Sequence, residues 1–322
     1  MSTLHVGHSE ILRFADERVN LKREDVADKR KQVNGLRDRL EAYLQDHPDF
    51  SLRKMLLSGS LAKGTALKFL NDIDLAVYVS VADAPASIQD LIPWLASRLR
   101  ETFPNFAADQ IKENQYSVTV SFVGTGLRVD IVPILYAGDP DWKGHLVSKT
   151  TGEKVLTSIP MHLDFIRRRK DANKDHYAQV VRLMKHWVKQ RKIDDANFRF
   201  KSFMIELYVA HLADRGLIRL DDYPEALAGI FAHIVTDGLN SEIVFEDHYD
   251  QSLCVGCDDP IRIWDPVNHE NNTARQYTHE QKKAVIEAAL EAGDAIDSAL
   301  RAPTKGDTLR YWRKVLGLSF DA

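Results

Sequence analysis

The chain has 322 residues, 28% of them charged, and a formal net charge of −4. That length is enough to bury a substantial core as one large domain or two, and the charge balance carries no global signature of a nucleic-acid binder, although a local basic groove is compatible with it. Two cysteines make no disulfide scaffold, no apolar run approaches the roughly 18 residues of a membrane span, and the opening residues lack the charged-then-apolar layout of a signal peptide; the expectation is a cytoplasmic protein with no membrane partner.

In chain order, Val26, Val33, Leu36, Leu40 and Tyr43 among many charges predict a long amphipathic helix over residues 21–43. It leads into the most informative stretch, Leu57-Ser-Gly-Ser-Leu-Ala-Lys-Gly-Thr65 followed by Asp72-Ile-Asp-Leu-Ala-Val-Tyr78. Here a Gly59-Ser60 turn precedes two carboxylates by about a dozen residues, and Gly64-Thr65 offers a second permissive turn. Residues 72–81 read as a strand. Side chains two apart on a strand share a face, so Asp72 and Asp74 point the same way. Two carboxylates held this close repel unless a cation lies between them, and hard oxygen ligands suit Mg²⁺. Gly59 and Ser60 can offer a tight turn, a backbone N–H and a hydroxyl to phosphate oxygens. A P-loop is a poor alternative, because its glycine-rich run must end in Lys-Ser/Thr and open a helix, and neither is expected here.

Ile88, Leu91, Ile92, Leu95 and Leu99 predict a helix over residues 87–100. Two alternating β segments then flank Gly124-Thr-Gly126, a hairpin signal. The second segment, Leu127-Arg-Val-Asp-Ile-Val-Pro133, places Asp130 in an apolar run where an unpaired acid is costly. Asp130 is the expected third metal ligand. Residues 138–144 close this α/β part, and those up to Thr157 read as polar connection.

From Ser158 the period becomes helical, with Met161, Phe165, Val180, Val181, Leu183, Met184 and Trp187 as candidate core. Residues 202–212 form a further buried helix, and 280–300 another. Domains are expected over residues 1–157 and 158–322. Between Arg167 and Lys192 there are ten Arg or Lys residues against Asp171 and Asp175. Most belong to a solvated helix face, but a triphosphate beside two metals still needs one or two cations over its β- and γ-phosphates. Lys185, within Arg182-Leu-Met-Lys-His-Trp187 and held inward by apolar neighbours, is the candidate. Ser202, an N-cap or a phosphate donor at the start of the next helix, is its companion.

Gly59-Ser60-x3-Gly64-Thr65, Asn71-Asp-Ile-Asp74 and Leu127-Arg-Val-Asp-Ile-Val-Pro133 resemble the polymerase-β-like nucleotidyltransferases. Arg182-Leu-Met-Lys-His-Trp187, Ser202-Phe-Met-Ile-Glu-Leu-Tyr208 and Ile263-Trp-Asp-Pro-Val-Asn268 with Asn271-Asn272 resemble the branch of oligoadenylate synthases and cyclic GMP–AMP synthase. Residues 33–43 with His47-Pro-Asp-Phe50, and Trp312-Arg-Lys-Val-Leu-Gly-Leu-Ser-Phe320, are most similar to the bacterial members, the CD-NTases of anti-phage signalling. The resemblance implies an α+β fold, a polymerase-β-like core with a mainly helical, oligoadenylate-synthase-like C-terminal lobe and the active site in the cleft between them. It implies two Mg²⁺ ions (Mn²⁺ as substitute) on Asp72, Asp74 and Asp130, with triphosphate on Gly59, Ser60, Lys185 and Ser202. The substrates would be ATP and other nucleoside triphosphates, and the product a cyclic di- or trinucleotide released with pyrophosphate. A regulatory protein or nucleic-acid activator and a cyclic-nucleotide-responsive effector would be its partners.

The residues themselves argue for nucleotidyl transfer; cyclisation comes from the resemblance. The alternative activity is a template-independent RNA 3′-end transferase, of the CCA-adding or poly(A) type, for which an acidic chain gives weak support. A pseudoenzyme would have lost a carboxylate, and all three are present. Cys254-x2-Cys257 with His248 lacks a fourth zinc ligand, so two reduced cysteines are expected.

Overall fold

The computed structural model describes residues 5–46, 52–68 and 72–321. His47–Phe50 and Asn71, both part of the sequence argument, lie outside them. The chain opens with α1 (His8–Phe14) and a π-helical turn (Ala15–Val19), followed by α2 (Arg23–Asp46). It divides into two compact units, Leu21–Ile166 and Met1–Asn20 with Arg167–Ala322.

The first unit is a mixed sheet covered by helices. Its elements after α2 are β1 (Leu52–Ser58), the single-turn helix α3 (Gly59–Lys63), β2 (Asp72–Ser80), α4 (Leu91–Thr102), β3 (Ile111–Glu113), β4 (Val118–Phe122), β5 (Leu127–Tyr136), β6 (Gly144–Val147) and β7 (Lys154–Thr157). The strand order is β1-β2-β5-β4-β3, with β6 on the end of β5 and β7 beside it; β2 and β5 run parallel and the other pairs antiparallel. Ile73, Leu75, Val77 and Val79 of β2, with Val129 and Ile131 of β5, pack beneath Val33, Leu36 and Leu40 of α2 and Ile92, Leu95 and Leu99 of α4. The period of two therefore sends Asp72, Asp74 and Asp130 to the opposite face. Farther along β2 and β5 that second face closes over Ala76, Tyr78 and Ile134.

Two local expectations needed correction here. Residues 144–157 are a β-hairpin rather than a polar connection, because Gly144 pairs with Tyr136 so closely that a Cβ there would lie 2.5 Å from the Leu135 carbonyl oxygen. The helix expected from residue 87 begins at Leu91, after a 3₁₀ turn over Ile88–Asp90.

The second unit is mainly helical. α5 (Ile159–Asn173) carries the chain across the division, and α6 (His176–Asp194), α7 (Ser202–Asp214), α8 (Tyr223–Asp237), a ribbon of β8 (Trp264–Asp265) and β9 (Asn268–Asn272), α9 (His279–Arg301) and α10 (Lys305–Leu316) follow. The basic stretch is thus two helices rather than one long one, broken where Lys174 adopts φ +53°. Trp187 packs edge-on against Phe198 and Phe231 at the core. The N-terminal residues pack with this unit and not with the sheet: Phe14 meets His186 and Phe320, and Asn20 accepts from Arg182 Nε at 2.9 Å. This is why the compact units differ from a simple split at residue 157. No helix among the described residues is long and apolar enough to cross a membrane.

Candidate active site

Strand register assembles the carboxylates. Asp74 lies opposite Asp130 across the parallel β2–β5 pair, and Asp72 lies opposite Arg128. Thr119 of β4 is the antiparallel neighbour of Asp130. Two aspartates distant in sequence thus become lateral neighbours on one face, about 4.8 Å being the usual spacing between strands. Burial first, then the charge of Asp130, pushes the Asp74 carboxyl up to about 6, with Lys63 partly opposing the rise. The exposed Asp72 carboxylate is gripped by Arg128 in a two-point ion pair, Nε to Oδ1 at 2.6 Å and Nη2 to Oδ2 at 3.1 Å. Asp130 accepts a hydrogen bond from the Thr119 hydroxyl. A cavity of about 440 Å³ opens beside them, lined by Asp72, Asp130, Arg128, Thr119 and the turn Asn114–Ser117. As placed, no three Asp, Glu, His or Cys side chains among the described residues form a closed metal cage; Asp72 meets the Arg128 guanidinium instead.

Gly59 is required by this geometry. Ser58, at the end of β1, pairs with Asp74, so the next residue passes directly against that carboxylate. A Cβ on Gly59 would lie 1.7 Å from Asp74 Oδ2, and the backbone has φ +63°. Glycine alone satisfies both conditions. Contrary to the expectation of a plain turn, Gly59 and Ser60 open α3, which ends at Gly64 in the left-handed region. The first N–H groups of such a turn have no carbonyl partner within the helix, which suits them to an anion.

Lys185 and Ser202 belong to the helical unit. Lys185 is buried, as expected, but its neighbours are not only apolar: its ammonium donates to Glu206 Oε1 at 2.6 Å, and both side chains are almost fully enclosed. The sequence reading missed Glu206, although an acid amid the apolar face of α7 was the available signal. Ser202 is exposed and is the first helical residue of α7; the N-cap is Lys201, whose side chain makes no capping bond. The Trp264–Asn272 segment is a structural knot, with Asn272 bonded to Ile263 N, Ile261 O and Asp259. Cys254 and Cys257 are free thiols.

A mixed sheet that brings Asp72, Asp74 and Asp130 to one face, with a glycine-serine helix start against Asp74, fits a nucleotidyltransferase. The nucleotidyltransferase domain family matches residues 36–156. Over 320 residues, 99% of each chain, the sequence is 55% identical to the cyclic AMP-AMP-AMP synthase of Escherichia coli strain MS 115-1. Over 302 residues, 91% of this chain and 92% of the other, it is 29% identical to the CBASS oligonucleotide cyclase CdnC of E. coli strain KTE188. CdnC of E. coli MS115-1, solved in complex with HORMA-deltaN, superposes with a TM-score of 0.91 at 55% identity over 100% of both chains; the same protein has been solved with ATP, again at 0.91 over 99% of this chain and 100% of that one. The chain belongs to the bacterial CD-NTases, the CBASS oligonucleotide cyclases, with a polymerase-β-like core and a mainly helical C-terminal lobe. It is a nucleotidyltransferase that makes a cyclic oligonucleotide, and the RNA-end alternative is not favoured.

Proposed function

We propose that the chain joins three ATP molecules into a cyclic triadenylate, with Asp72, Asp74 and Asp130 as its catalytic carboxylates. The observation that carries the assignment of the carboxylates is the register of Asp74 against Asp130, with Gly59 pressed on Asp74. The likeness to a cyclic AMP-AMP-AMP synthase supports the choice of base and ring size. Three aspartates on one sheet face, with the Asp74 charge opposed by burial and by Asp130, are a donor set of the kind that suits Mg²⁺ once Asp72 is released from Arg128. Two such ions on these aspartates, or Mn²⁺ in their place, would acidify the attacking hydroxyl and neutralise charge on the pyrophosphate.

The chain's own groups do the rest. Gly59 and Ser60 present N–H and hydroxyl donors to the triphosphate, and Ser202 of the helical unit is proposed as a further phosphate contact on the family resemblance alone. Asp130 takes the proton of the ribose hydroxyl as its oxygen bonds to the α-phosphorus and the bond to the β-phosphate oxygen breaks. Lys185 is likewise proposed as a phosphate contact on the family resemblance alone, since its ammonium is already neutralised by Glu206. A HORMA-type protein, of the kind bound to the E. coli relative, is the proposed regulator, and a downstream effector that responds to the cyclic nucleotide is the proposed recipient of the product.

The test supplies ATP and Mg²⁺ to the full chain with its HORMA-type partner. Pyrophosphate and a phosphatase-resistant product with the mass of a cyclic triadenylate are expected. Only linear, phosphatase-sensitive products would overturn the cyclase reading, and a different ring or base would overturn the triadenylate.

A further inference from the structure

Asp130 has two oxygens, and a neighbour already engages one of them. Thr119 sits directly across the β4–β5 pair and its Oγ1 bonds to Asp130 Oδ1. The direction of that bond follows from the next link. Asn114 Nδ2 donates to Thr119 Oγ1 at 2.8 Å and to Ser117 Oγ at 3.0 Å. A threonine hydroxyl has one proton. With its oxygen accepting from Asn114, that proton goes to the carboxylate. The turn bearing Asn114 is itself closed, Asn114 N donating to Ser117 O at 2.8 Å. Thr119 is β-branched and stiff about χ1, so the chain Asn114–Thr119–Asp130 holds Oδ1 of the carboxylate in place. All of these side chains line the cavity of about 440 Å³.

We propose that Thr119, held by Asn114, is a positioning residue for Asp130: it occupies Oδ1 and leaves Oδ2 as the oxygen presented to the reacting hydroxyl and its metal. The inference rests on the reading of Asp130 as a catalytic carboxylate. A threonine that merely satisfied a half-buried acid would contribute to stability, whereas a positioning threonine acts on the chemical step and on metal binding.

The experiment compares Thr119→Val, Thr119→Ser, Asn114→Ala and Asp130→Asn in the full chain. Thr119→Val keeps the shape and removes the hydroxyl. It should lower kcat about 10- to 100-fold, the usual effect of losing a group that orients a metal ligand, with KM for ATP little changed. In nucleotide-free protein, Mn²⁺ affinity read by titration of the paramagnetic ion should weaken about tenfold. Thr119→Ser should restore both readouts, and Asn114→Ala should move them the same way by less. If Thr119→Val keeps kcat and Mn²⁺ affinity within about twofold while Asp130→Asn loses both, the positioning role is overturned and the catalytic reading survives. If Thr119→Ser is as impaired as Thr119→Val and both melt earlier, the contact is structural only and the proposal falls. If Asp130→Asn itself leaves both readouts unchanged, the catalytic reading falls and takes the proposal with it.

Discussion

Asp74 and Lys185 are both charged groups that packing draws away from water, and the two units treat them in opposite ways. In the sheet unit, Asp74 is set beside Asp130 with Gly59 pressed against it, so its charge is opposed by a like charge and by burial. In the helical unit, Lys185 is enclosed between α6 and α7 with a carboxylate of its own, Glu206, at 2.6 Å. The first arrangement is incomplete by itself and calls for a cation from outside. The second is complete without a ligand. A charge left in conflict marks a place where a ligand supplies the missing partner, while a satisfied pair holds two helices in register and a cation in a fixed position.

The largest effect should come from the conflicted site. Replacing Asp72 and Asp74 together with Asn should lower turnover by at least about 10²-fold, roughly 2.7 kcal/mol of transition-state stabilisation, while circular dichroism shows an intact fold. Near-full activity in that double variant would break the comparison at its root.

The buried pair predicts the reverse pattern. Lys185→Met leaves Glu206 enclosed and uncompensated, which should cost about 3–5 kcal/mol of stability by denaturant melting. Adding Glu206→Leu should recover most of that loss. If Lys185 also serves the triphosphate, the stable double variant will still bind a non-hydrolysable ATP analogue more weakly, by about 10-fold or more for one lost charge-assisted bond. Equal binding in the double variant would assign Lys185 to the fold alone.

Asp74 also predicts a pH dependence. Its folded value of about 6 lies above the ordinary 3.8, so between those pH values the folded state holds a proton that the unfolded chain has lost. Stability therefore falls as pH rises from about 4 to 6 and stays lowered above that, by on the order of 2–3 kcal/mol for a shift of this size. Asp74→Asn should raise the melting temperature at pH 7.5 and leave it unchanged at pH 4. Added Mg²⁺ should raise it at pH 7.5 for the parent chain only.

The strand pair was legible because its signals are local: alternation over residues 72–81, the Gly124-Thr-Gly126 turn, and an acid at Asp130 in an apolar run. What alternation does not contain is the neighbour across the sheet. Thr119 and Arg128 acquire their roles from register, which depends on the whole sheet. Glu206 was missed because its partner lies on another helix, 21 residues away. The hairpin over residues 144–157 was missed because Lys149-Thr-Thr-Gly152 reads as a loop, and only pairing to the end of β5 makes its flanks strands. The contacts of Phe14 with His186 and of Asn20 with Arg182 are not legible from chain order, which is a weak guide to packing when a terminus folds back.

The smallest effect on stability belongs to the pair between Asp72 and Arg128, the exposed counterpart of Lys185 and Glu206. Both side chains are about half exposed, at 51% and 53%, and exposed pairs contribute little because water and salt screen them. Arg128→Gln should leave the melting temperature unchanged. Its consequence should appear in ligand binding, because the guanidinium occupies both oxygens of a carboxylate that the proposed reaction needs. A divalent ion must compete with Arg128 for Asp72, so removing the competitor should tighten Mn²⁺ binding to nucleotide-free protein, by a few-fold for an exposed pair, and the gain should shrink at high salt. Weaker binding in Arg128→Gln would mean that the arginine orients Asp72 toward the ion rather than occupying it.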